Sequence, residues 1–339
     1  MKALRIYSRG EVELFTQDAP TPSPGEILLR MLYVGFCGSD LNTYRGRNAM
    51  ALDPVIPGHE IGAQVVALGG GVPSSFKVGD IVTVIPYTSC GKCPSCLNHR
   101  ENACRDNETL GVQRNGAMRE YICLPWQKVL PSGGLDPTLC ALIEPMSVGF
   151  HAVRRAGVGP ADSVMVIGCG MVGMGAIMGA YARGAKVIAA DIDDEKLSEA
   201  LTLGASHSVN TLSPSAHQTI SDITGGDGPS VIIEAVGSVP TYRLAIQEVA
   251  FTGRVACIGY APTDVAIPTG LIVKKELDVR GSRNAMPEDF AAVRDFLSST
   301  SFDVSKLISK VVSPEEAPSA MKEWASDPGK VFRILVQFQ

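Results

Sequence analysis

One segment near the middle of the chain constrains the fold most: a predicted buried strand that runs directly into a glycine-rich turn. It reads Ser163-Val-Met-Val-Ile-Gly168-Cys-Gly170-Met-Val-Gly173. The first glycine permits a tight turn, the second lets a pyrophosphate approach the main chain, and the third lets a helix pack closely on the strand. A helix predicted over Met174–Arg183 follows and is expected to end at Gly184, so that its N-terminus faces the phosphates. The sequence therefore predicts a dinucleotide-binding turn formed by Gly168, Gly170, Met171, Val172 and Gly173; the alternative is a purely structural turn.

The next predicted strand indicates which dinucleotide is bound. It reads Lys186-Val-Ile-Ala-Ala-Asp191 and ends in an acid about 20 residues after the glycines, where a carboxylate can accept hydrogen bonds from the adenosine ribose. Such a carboxylate repels a 2′-phosphate. The following residues are Ile192, Asp193 and Asp194, with no arginine to receive that phosphate. Asp191 therefore favours NAD over NADP.

Hydrophobic patterning divides the chain into two kinds of structure. Through residues 1–150, short β-rich runs are separated by glycine and proline, which is typical of an antiparallel β domain. From about residue 151, apolar strand runs alternate with helix-like segments, which predicts βαβ units and a parallel sheet. After Gly281 the pattern changes again, and Val331–Phe338 is predicted to be a closing strand. We therefore predict an α/β protein: a β-rich domain over residues 1–150, completed by 285–339, and a Rossmann-type doubly wound domain over 151–284.

Charge and composition exclude several classes of protein. The net charge is −5 and no Lys/Arg run is present, which argues against nucleic-acid binding. The longest apolar stretches have the length of strands, so no membrane span is expected. The N-terminus lacks the apolar core of a signal peptide, and a cytoplasmic location is therefore expected. Nine cysteines in a reducing compartment favour metal binding over disulfides.

Four of these cysteines form a compact motif. Cys90, Cys93, Cys96 and Cys104 have the spacing Cys-x2-Cys-x2-Cys-x7-Cys. Four thiolates in one short loop can close a tetrahedral shell around zinc and leave no position for a substrate. The motif predicts a structural zinc, with an iron–sulfur cluster as the alternative.

A second group of potential ligands is spread over three segments. Gly35-Phe-Cys37-Gly-Ser39 supplies a thiol and a hydroxyl, Gly58-His59-Glu60 an imidazole and a carboxylate, and Leu142-Ile-Glu144-Pro145 another carboxylate. Taken singly, each has an ordinary explanation, such as a buried cysteine or a salt-bridged glutamate. Their joint occurrence points to a second metal site.

Taken together, these features resemble the zinc-containing medium-chain alcohol dehydrogenase family over essentially the whole chain. The Gly58-His59-Glu60 block, the four-cysteine lobe, Gly116-Ala-Met-Arg-Glu120-Tyr121 and Gly168–Gly173 have the family's order and spacing. Ile143-Glu144-Pro145, in place of a cysteine, is similar to the sorbitol (polyol) dehydrogenase branch. Val84–Tyr87 and Gly281–Phe290 resemble most closely the bacterial L-galactonate, L-gulonate and L-idonate 5-dehydrogenases. The resemblance implies a GroES-like catalytic domain, a Rossmann domain, and a homodimer or homotetramer.

The resemblance also implies roles for individual residues. Cys37 and His59 would bind a catalytic zinc, with either Glu144 or Glu60 as the third ligand, and Ser39 would begin the exit of the substrate's proton. The loops at Val236-Gly237, Ile258-Gly259 and Ser282-Arg283-Asn284 would line the cofactor. The activity implied is hydride transfer from a secondary alcohol of a polyol or sugar acid to NAD. Sorbitol, galactitol-phosphate and L-threonine dehydrogenases are the alternatives, and a non-enzymatic NAD- or redox-sensing zinc protein is a distant one.

Two positions depart from the family pattern. Asn42 stands where many relatives have a histidine that relays the proton. Asparagine cannot relay one at neutral pH, so a relay through water or a cofactor ribose hydroxyl is expected. In the Gly-His-Glu block the next glycine arrives one residue early, at Gly62. For an acidic substrate, Arg47, Arg114 and Arg283 are candidate cations; Tyr44 and Tyr87 could line the pocket.

Overall fold

The computed structural model describes residues 1–338, which divide into two units. Unit 1 comprises Met1–Glu144, Arg294–Thr300 and the chain from Val304 onward, and unit 2 comprises Pro145–Val293 and Ser301–Asp303. No helix of the described residues combines the length and the apolar character needed to cross a membrane.

The described residues form β-strands and α-helices that alternate regularly only in the middle of the chain. The strands are β1 (Lys2–Tyr7), β2 (Glu11–Thr16), β3 (Glu26–Phe36), β4 (Glu60–Leu68), β5 (Ile81–Val84), β6 (Tyr121–Pro125), β7 (Val129–Pro131), β8 (Ser163–Ile167), β9 (Lys186–Asp191), β10 (His207–Asn210), β11 (Val231–Glu234), β12 (Arg254–Cys257), β13 (Asp278–Gly281), β14 (Lys310–Val312) and β15 (Ile334–Gln337). The helices are α1 (Gly38–Tyr44), α2 (Pro94–Leu97), α3 (Pro137–Ala156), α4 (Met171–Ala182), α5 (Asp194–Thr202), α6 (Ala216–Thr224), α7 (Val239–Glu248), α8 (Thr269–Lys275), α9 (Pro287–Ser299) and α10 (Ala317–Ser326).

Unit 1 is built on a sheet with β3 at its centre. The strand order is β14-β15-β3-β4-β5-β7, and β6 pairs with the first half of β3. All pairs are antiparallel except β14 with β15. Along β3 the side chains of Ile27, Leu29 and Met31 are fully buried and alternate with more exposed ones, as expected for a sheet with one face on a core. The predicted closing strand is confirmed in its central part, as β15.

The early glycine of the Gly-His-Glu block lies at an irregularity between β3 and β4. Met31 pairs with Ala63 but Tyr33 pairs with Gly62, so β3 has one extra residue there. Such a bulge bends the strand locally. A Cβ on Gly62 would collide with the carbonyl oxygen of Pro137, at the start of α3. The position of this glycine is therefore set by the close approach of α3 to β4.

Unit 2 is a parallel sheet with the strand order β10-β9-β8-β11-β12-β13. The order reverses between β8 and β11, and in such doubly wound sheets ligands bind beyond the carboxyl ends of the strands at the reversal. Buried, nearly continuous apolar strands such as Val231-Ile-Ile are typical of a sheet covered on both faces. The prediction of a β-rich domain and a doubly wound parallel-sheet domain is confirmed.

The divisions at the two ends of the main segment of unit 2 fall inside helices, and the short return of the chain to unit 2 at Ser301–Asp303 lies just after α9. The first lies between Glu144 and Pro145, within α3, and the second between Val293 and Arg294, within α9. The predicted boundaries, after residues 150 and 284, lie six residues after the first division and nine residues before the second. A helix that continues across a division gives no turn or change of composition in the sequence at that point.

Candidate active site

Three potential metal ligands converge in unit 1. Cys37 lies between β3 and α1, His59 immediately precedes β4, and Glu60 is the first residue of β4. The Cys37 sulfur, a His59 ring nitrogen and a Glu60 carboxylate oxygen all lie within 4.8 Å of one another. The pairing of β3 with β4 sets Gly35 opposite Glu60 and so brings the segment that carries Cys37 next to the segment that carries His59 and Glu60. A Cβ on Gly35 would collide with the Glu60 carboxylate, which explains the glycine there.

Arg333 is a residue of this site that the sequence analysis missed. Its Nε lies 3.0 Å from Oε2 of Glu60, both side chains are almost completely buried, and its Nη1 donates to the Phe36 carbonyl at 2.6 Å. A buried charge is costly unless an opposite charge accompanies it. The sequence did carry a signal for this residue, since Arg333 is the one charged residue in the otherwise apolar run Val331-Phe-Arg-Ile-Leu-Val336.

Glu144, the second candidate carboxylate, is held by a tyrosine. The Tyr87 hydroxyl donates to Oε1 of Glu144, and both residues are buried. Burial raises the pKa of Glu144, and burial together with the neighbouring Glu144 raises the pKa of Tyr87 well above its usual range. Tyr87, predicted as a possible pocket residue, therefore fixes the orientation of Glu144. Glu144 does not belong to the group within 4.8 Å that Cys37, His59 and Glu60 form.

The electrostatics of the cluster favour a cation. Burial by itself lowers the pKa of His59, but the Cys37 side chain, Glu144 and Asp40 outweigh it and hold that pKa well above its ordinary value. Burial also raises the pKa of Asp40 to about 6, although the nearby His59 opposes the shift. A set of anionic groups that stabilises a proton on a buried imidazole also suits a divalent metal ion.

The donor atoms fit zinc. Thiolate, imidazole and carboxylate are its usual ligands, and three protein ligands leave a fourth position for substrate. Nδ1 of His59 and Oε1 of Glu60 are buried, and neither makes a hydrogen bond with the described residues. Since buried polar atoms normally have a partner, these atoms are consistent with metal coordination.

Ser39 and Asn42 lie on the short helix α1. Ser39 is half-buried, and its hydroxyl oxygen, enclosed by protein, makes no hydrogen bond with the described residues. Asn42 is exposed. Helix α1 begins directly after Cys37, whose main-chain N–H donates to Oδ2 of Asp40 at 2.8 Å, and this contact fixes the first turn that carries Ser39.

The four predicted zinc cysteines come together as a second group. Their sulfur atoms all lie within 4.8 Å of one another, with 3.6 Å between Cys93 and Cys96 and 3.9 Å between Cys93 and Cys104. A tetrahedral zinc with Zn–S bonds of about 2.3 Å requires sulfurs about 3.8 Å apart. Main-chain N–H groups, first that of Arg105, lower the pKa of Cys93 to about 6, which favours the thiolate needed for binding. The group has the geometry of a closed structural zinc site.

The glycine turn of unit 2 lies at the reversal of strand order, between β8 and β11. Gly168 has φ +96°, a conformation that favours glycine. A Cβ on Gly173 would collide with the Gly168 carbonyl, so the third glycine is required for the close packing of α4. Gly170 faces open space, as expected where a pyrophosphate approaches the main chain. Helix α4 begins at Met171, three residues before the predicted start, because Gly170 already serves as its N-cap.

Asp191 ends β9 beside this turn. Its Oδ2 accepts from the Cys169 N–H at 2.6 Å, and its Oδ1 accepts from Ile192 at 2.7 Å and Asp193 at 3.1 Å. The carboxylate therefore stabilises the turn in addition to its predicted role. Each carboxylate oxygen has two acceptor positions, so these three contacts leave one position, on Oδ2, for a ribose hydroxyl.

The other predicted cofactor loops directly follow strands of the same sheet. Val236–Gly237 comes after β11, Ile258–Gly259 after β12, and Ser282–Arg283 after β13. Because these strands are parallel to β8, all three loops lie at the edge that carries the glycine turn. The topology thus brings the predicted dinucleotide-binding residues to one edge of unit 2.

Three predicted substrate contacts of unit 1 have other environments. Arg47 is exposed. Arg114 is half-buried and donates to the carbonyl of Pro86 at 3.2 Å. Tyr44 packs against the apolar core of unit 1. The surroundings of these three residues do not indicate which side chain would bind the carboxylate of an acidic substrate.

Two family models match the chain. The alcohol dehydrogenase GroES-like domain matches residues 23–134, and the zinc-binding dehydrogenase domain matches residues 171–299.

Curated relatives and solved structures extend the similarity to almost the whole chain. L-galactonate-5-dehydrogenase of Escherichia coli K12 is 34% identical over 82% of this chain and 81% of its own length. Sorbitol dehydrogenase of Bacillus subtilis 168 is 32% identical over 99% of this chain and 97% of its own. A crystal structure of short chain alcohol dehydrogenase from E. coli CFT073, complexed with the cofactor NADH, superposes with a TM-score of 0.90 at 27% identity, over 100% of this chain and 99% of that one.

Proposed function

Because the chain belongs to the zinc-type medium-chain alcohol dehydrogenase family, an oxidoreductase family that uses zinc and NAD, we propose that it oxidises a secondary alcohol of a polyol or sugar acid. The observation that carries this proposal is a pair of buried carboxylates, Glu60 within the Cys37–His59 group and Glu144 outside it but near enough to raise the pKa of His59. Carboxylate ligands make a harder metal site than thiolates do, and a harder site suits several hydroxyl oxygens of one substrate.

The proposed roles of the side chains follow from their positions. Cys37, His59 and Glu60 would hold the catalytic zinc, which would supply Lewis-acid chemistry by making an alcohol easier to deprotonate. Ser39 would accept the proton of the substrate hydroxyl while it passes its own proton on. Since Asn42 is exposed and cannot relay a proton, the proton leaves through water. NAD bound at unit 2 would supply the acceptor for the hydride that the substrate carbon loses when the alcohol is oxidised to a ketone.

The relatives support a substrate with several oxygens, and an aldonate in particular. The two curated relatives described above are named for L-galactonate and for sorbitol. Both compounds carry several hydroxyl groups, and the name of the first specifies position 5, which is a secondary alcohol. We propose L-galactonate, L-gulonate or L-idonate as the preferred class, with the oxidation at C5.

A screen of NAD reduction tests this assignment. Purified enzyme is offered aldonates, polyols, phosphorylated alditols and L-threonine, and kcat/KM is measured for each. We expect an aldonate or a free polyol to exceed L-threonine by at least about tenfold, because a single recognition contact gives that much discrimination. Preference for L-threonine or a phosphorylated alditol would contradict the proposed class. The absence of NAD reduction with every alcohol would contradict the proposed activity.

The two carboxylates are expected to respond differently to substitution. Glu60→Ala should weaken binding of the catalytic zinc by at least about 100-fold, since even changes to groups behind the ligands cost about 10–100-fold. Glu144→Ala should leave two zincs per chain, because Glu144 lies outside the close group, but should lower turnover far more than NADH affinity. Zinc content by elemental analysis, kcat and the NADH dissociation constant are measured for both variants.

Tyr87→Phe is the matched control for Glu144. It removes only the hydroxyl that donates to Glu144 and leaves both carboxylates in place. We expect its turnover to lie between those of the parent and Glu144→Ala, with unchanged zinc content. If Glu144→Ala lost one zinc while Glu60→Ala kept both, the ligand assignment would be reversed. Normal turnover of Glu144→Ala would remove this residue from the mechanism.

A further inference from the structure

Glu234, the last residue of β11, has an unusual environment in unit 2. Among residues 1–338, it and Glu60 are the two acidic residues with a buried carboxylate oxygen that makes no hydrogen bond. The Glu234 side chain is completely enclosed. A carboxylate is costly to bury unless its contacts compensate. The hydrogen bonds that Glu234 does make therefore indicate the role of this buried carboxylate.

Glu234 holds the main chain of two loops at once. Its Oε1 accepts hydrogen bonds from the N–H groups of Val236 at 3.0 Å and Gly237 at 2.8 Å. Its own carbonyl accepts from Ile258 at 2.8 Å and Gly259 at 3.3 Å. The loop after β11 is thus fixed by the side chain of Glu234, and the loop after β12 by its main chain.

These loops are packed against each other and against the glycine turn. Gly237 has φ +79°, and a Cβ there would lie 2.6 Å from the Tyr260 nitrogen. A Cβ on Gly168 would lie 2.5 Å from Cγ2 of Val236. The Glu234 contacts therefore set the shape of the edge at which the sheet reverses its strand order, without Glu234 itself being exposed there.

We propose that Glu234 is a positioning residue for the dinucleotide, holding the Val236–Gly237 and Ile258–Gly259 loops in the conformation that NAD binds. The inference rests on the proposed placement of NAD at this edge of unit 2. In this role Glu234 orders the two loops before NAD binds, and it does not itself contact the cofactor. Loops that are already ordered lose less entropy when a ligand binds, so affinity for NAD depends on this buried acceptor.

Glu234→Ala and Glu234→Gln test the role of the acceptor. The alanine variant removes the side-chain acceptor of the Val236 and Gly237 N–H groups. We expect its NADH dissociation constant and its KM for NAD to rise about tenfold. Its kcat at saturating NAD should stay within about threefold of the parent value. The glutamine variant keeps an oxygen acceptor and buries no charge, so its NADH affinity should stay within about twofold of the parent. NADH fluorescence titration of the full-length protein and steady-state kinetics give these values.

Asp162→Asn is the control for general destabilisation of unit 2. Asp162 is a largely buried carboxylate immediately before β8, at the opposite edge of the sheet, and accepts from the Ser230 hydroxyl and the Gly159 N–H, each at 2.8 Å, besides pairing with Arg254. We expect Asp162→Asn to lower thermal stability without changing NADH affinity. Weaker NADH binding in Asp162→Asn to the same extent as in Glu234→Ala would overturn the proposal.

Other outcomes are equally decisive. Parent-like NADH affinity in Glu234→Ala would overturn the positioning role, and so would a loss in Glu234→Gln as large as in Glu234→Ala. If Glu234→Ala fails to fold, Glu234→Asp, which draws the acceptor back by one methylene, should still show a raised KM for NAD. A parent that binds NADH but oxidises no polyol or aldonate contradicts only the proposed substrate, whereas a parent that does not bind NADH contradicts the proposed NAD site itself.

Discussion

Replacement of His59 by alanine is expected to lower alcohol oxidation by at least about 10³-fold while NADH still binds. A metal that activates an alcohol contributes several kcal/mol to the barrier, which corresponds to about three orders of magnitude in rate or more. His59 is buried between Cys37 and Glu60, and no other imidazole belongs to the described cluster. Its loss leaves too few ligands to retain zinc.

Three measurements on the His59→Ala variant separate this effect from misfolding. Elemental analysis should fall from two zincs per chain to one, turnover should be nearly abolished, and the NADH dissociation constant should be unchanged because the glycine turn belongs to the other unit. His207→Ala, a substitution in β10 of unit 2, should keep both zincs and full turnover. An active His59→Ala enzyme, or one that keeps two zincs, would show that the Cys37–His59–Glu60 group is not the catalytic metal site.

Replacement of Cys104 by serine is expected to destabilise unit 1 strongly. Structural zinc in small peptides contributes about 10–16 kcal/mol, so loss of even a third of this is about 3–5 kcal/mol. For a unit of this size the midpoint of thermal unfolding should then fall by about 6–20 °C. Cys104 is fully buried, and its sulfur also accepts the Cys90 N–H at 3.3 Å, so its loss should open the loop from Cys90 to Cys104.

Cys123→Ser is the matched control for Cys104→Ser. Cys123 is a half-buried cysteine on β6, outside the four-cysteine group. We expect it to keep two zincs and to shift the thermal midpoint by only a few degrees. Differential scanning calorimetry, with zinc measured on the same samples, compares the two variants. A Cys104→Ser protein with unchanged stability and zinc content would refute a structural zinc, and iron in the parent would favour an iron–sulfur cluster instead.

Much of the fold could be predicted because its signals are local. The glycine turn, the acid at the end of β9 and the four cysteines each lie within one short stretch, where spacing alone limits the possible geometry. Helix α4 follows from its place between the glycine turn and Gly184, and the alternation of strands and helices in unit 2 follows from hydrophobic patterning. The divisions after Glu144 and Val293 were less accessible, because α3 and α9 continue across them.

The candidate catalytic site was only partly accessible from the sequence. Cys37, His59, Glu60 and Glu144 could be named, but the sequence left open which carboxylate lies beside the thiol and the imidazole. The structure groups Glu60 with them and directs Glu144 to Tyr87. These pairings depend on the register of β3 with β4 and on the packing of α3, neither of which has a local signature.

The sequence by itself determined the chemistry available to this protein: a dinucleotide turn, a closed set of four thiols, and a dispersed set of a thiol, an imidazole and two carboxylates. Tertiary structure decided which of these groups meet. Arg333 reaches Glu60 from the far end of the chain, and Glu234 orders two loops from the buried end of a strand. Contacts of this kind pair a buried charged group with groups from distant segments of the chain, and those groups come together only when the sheets form.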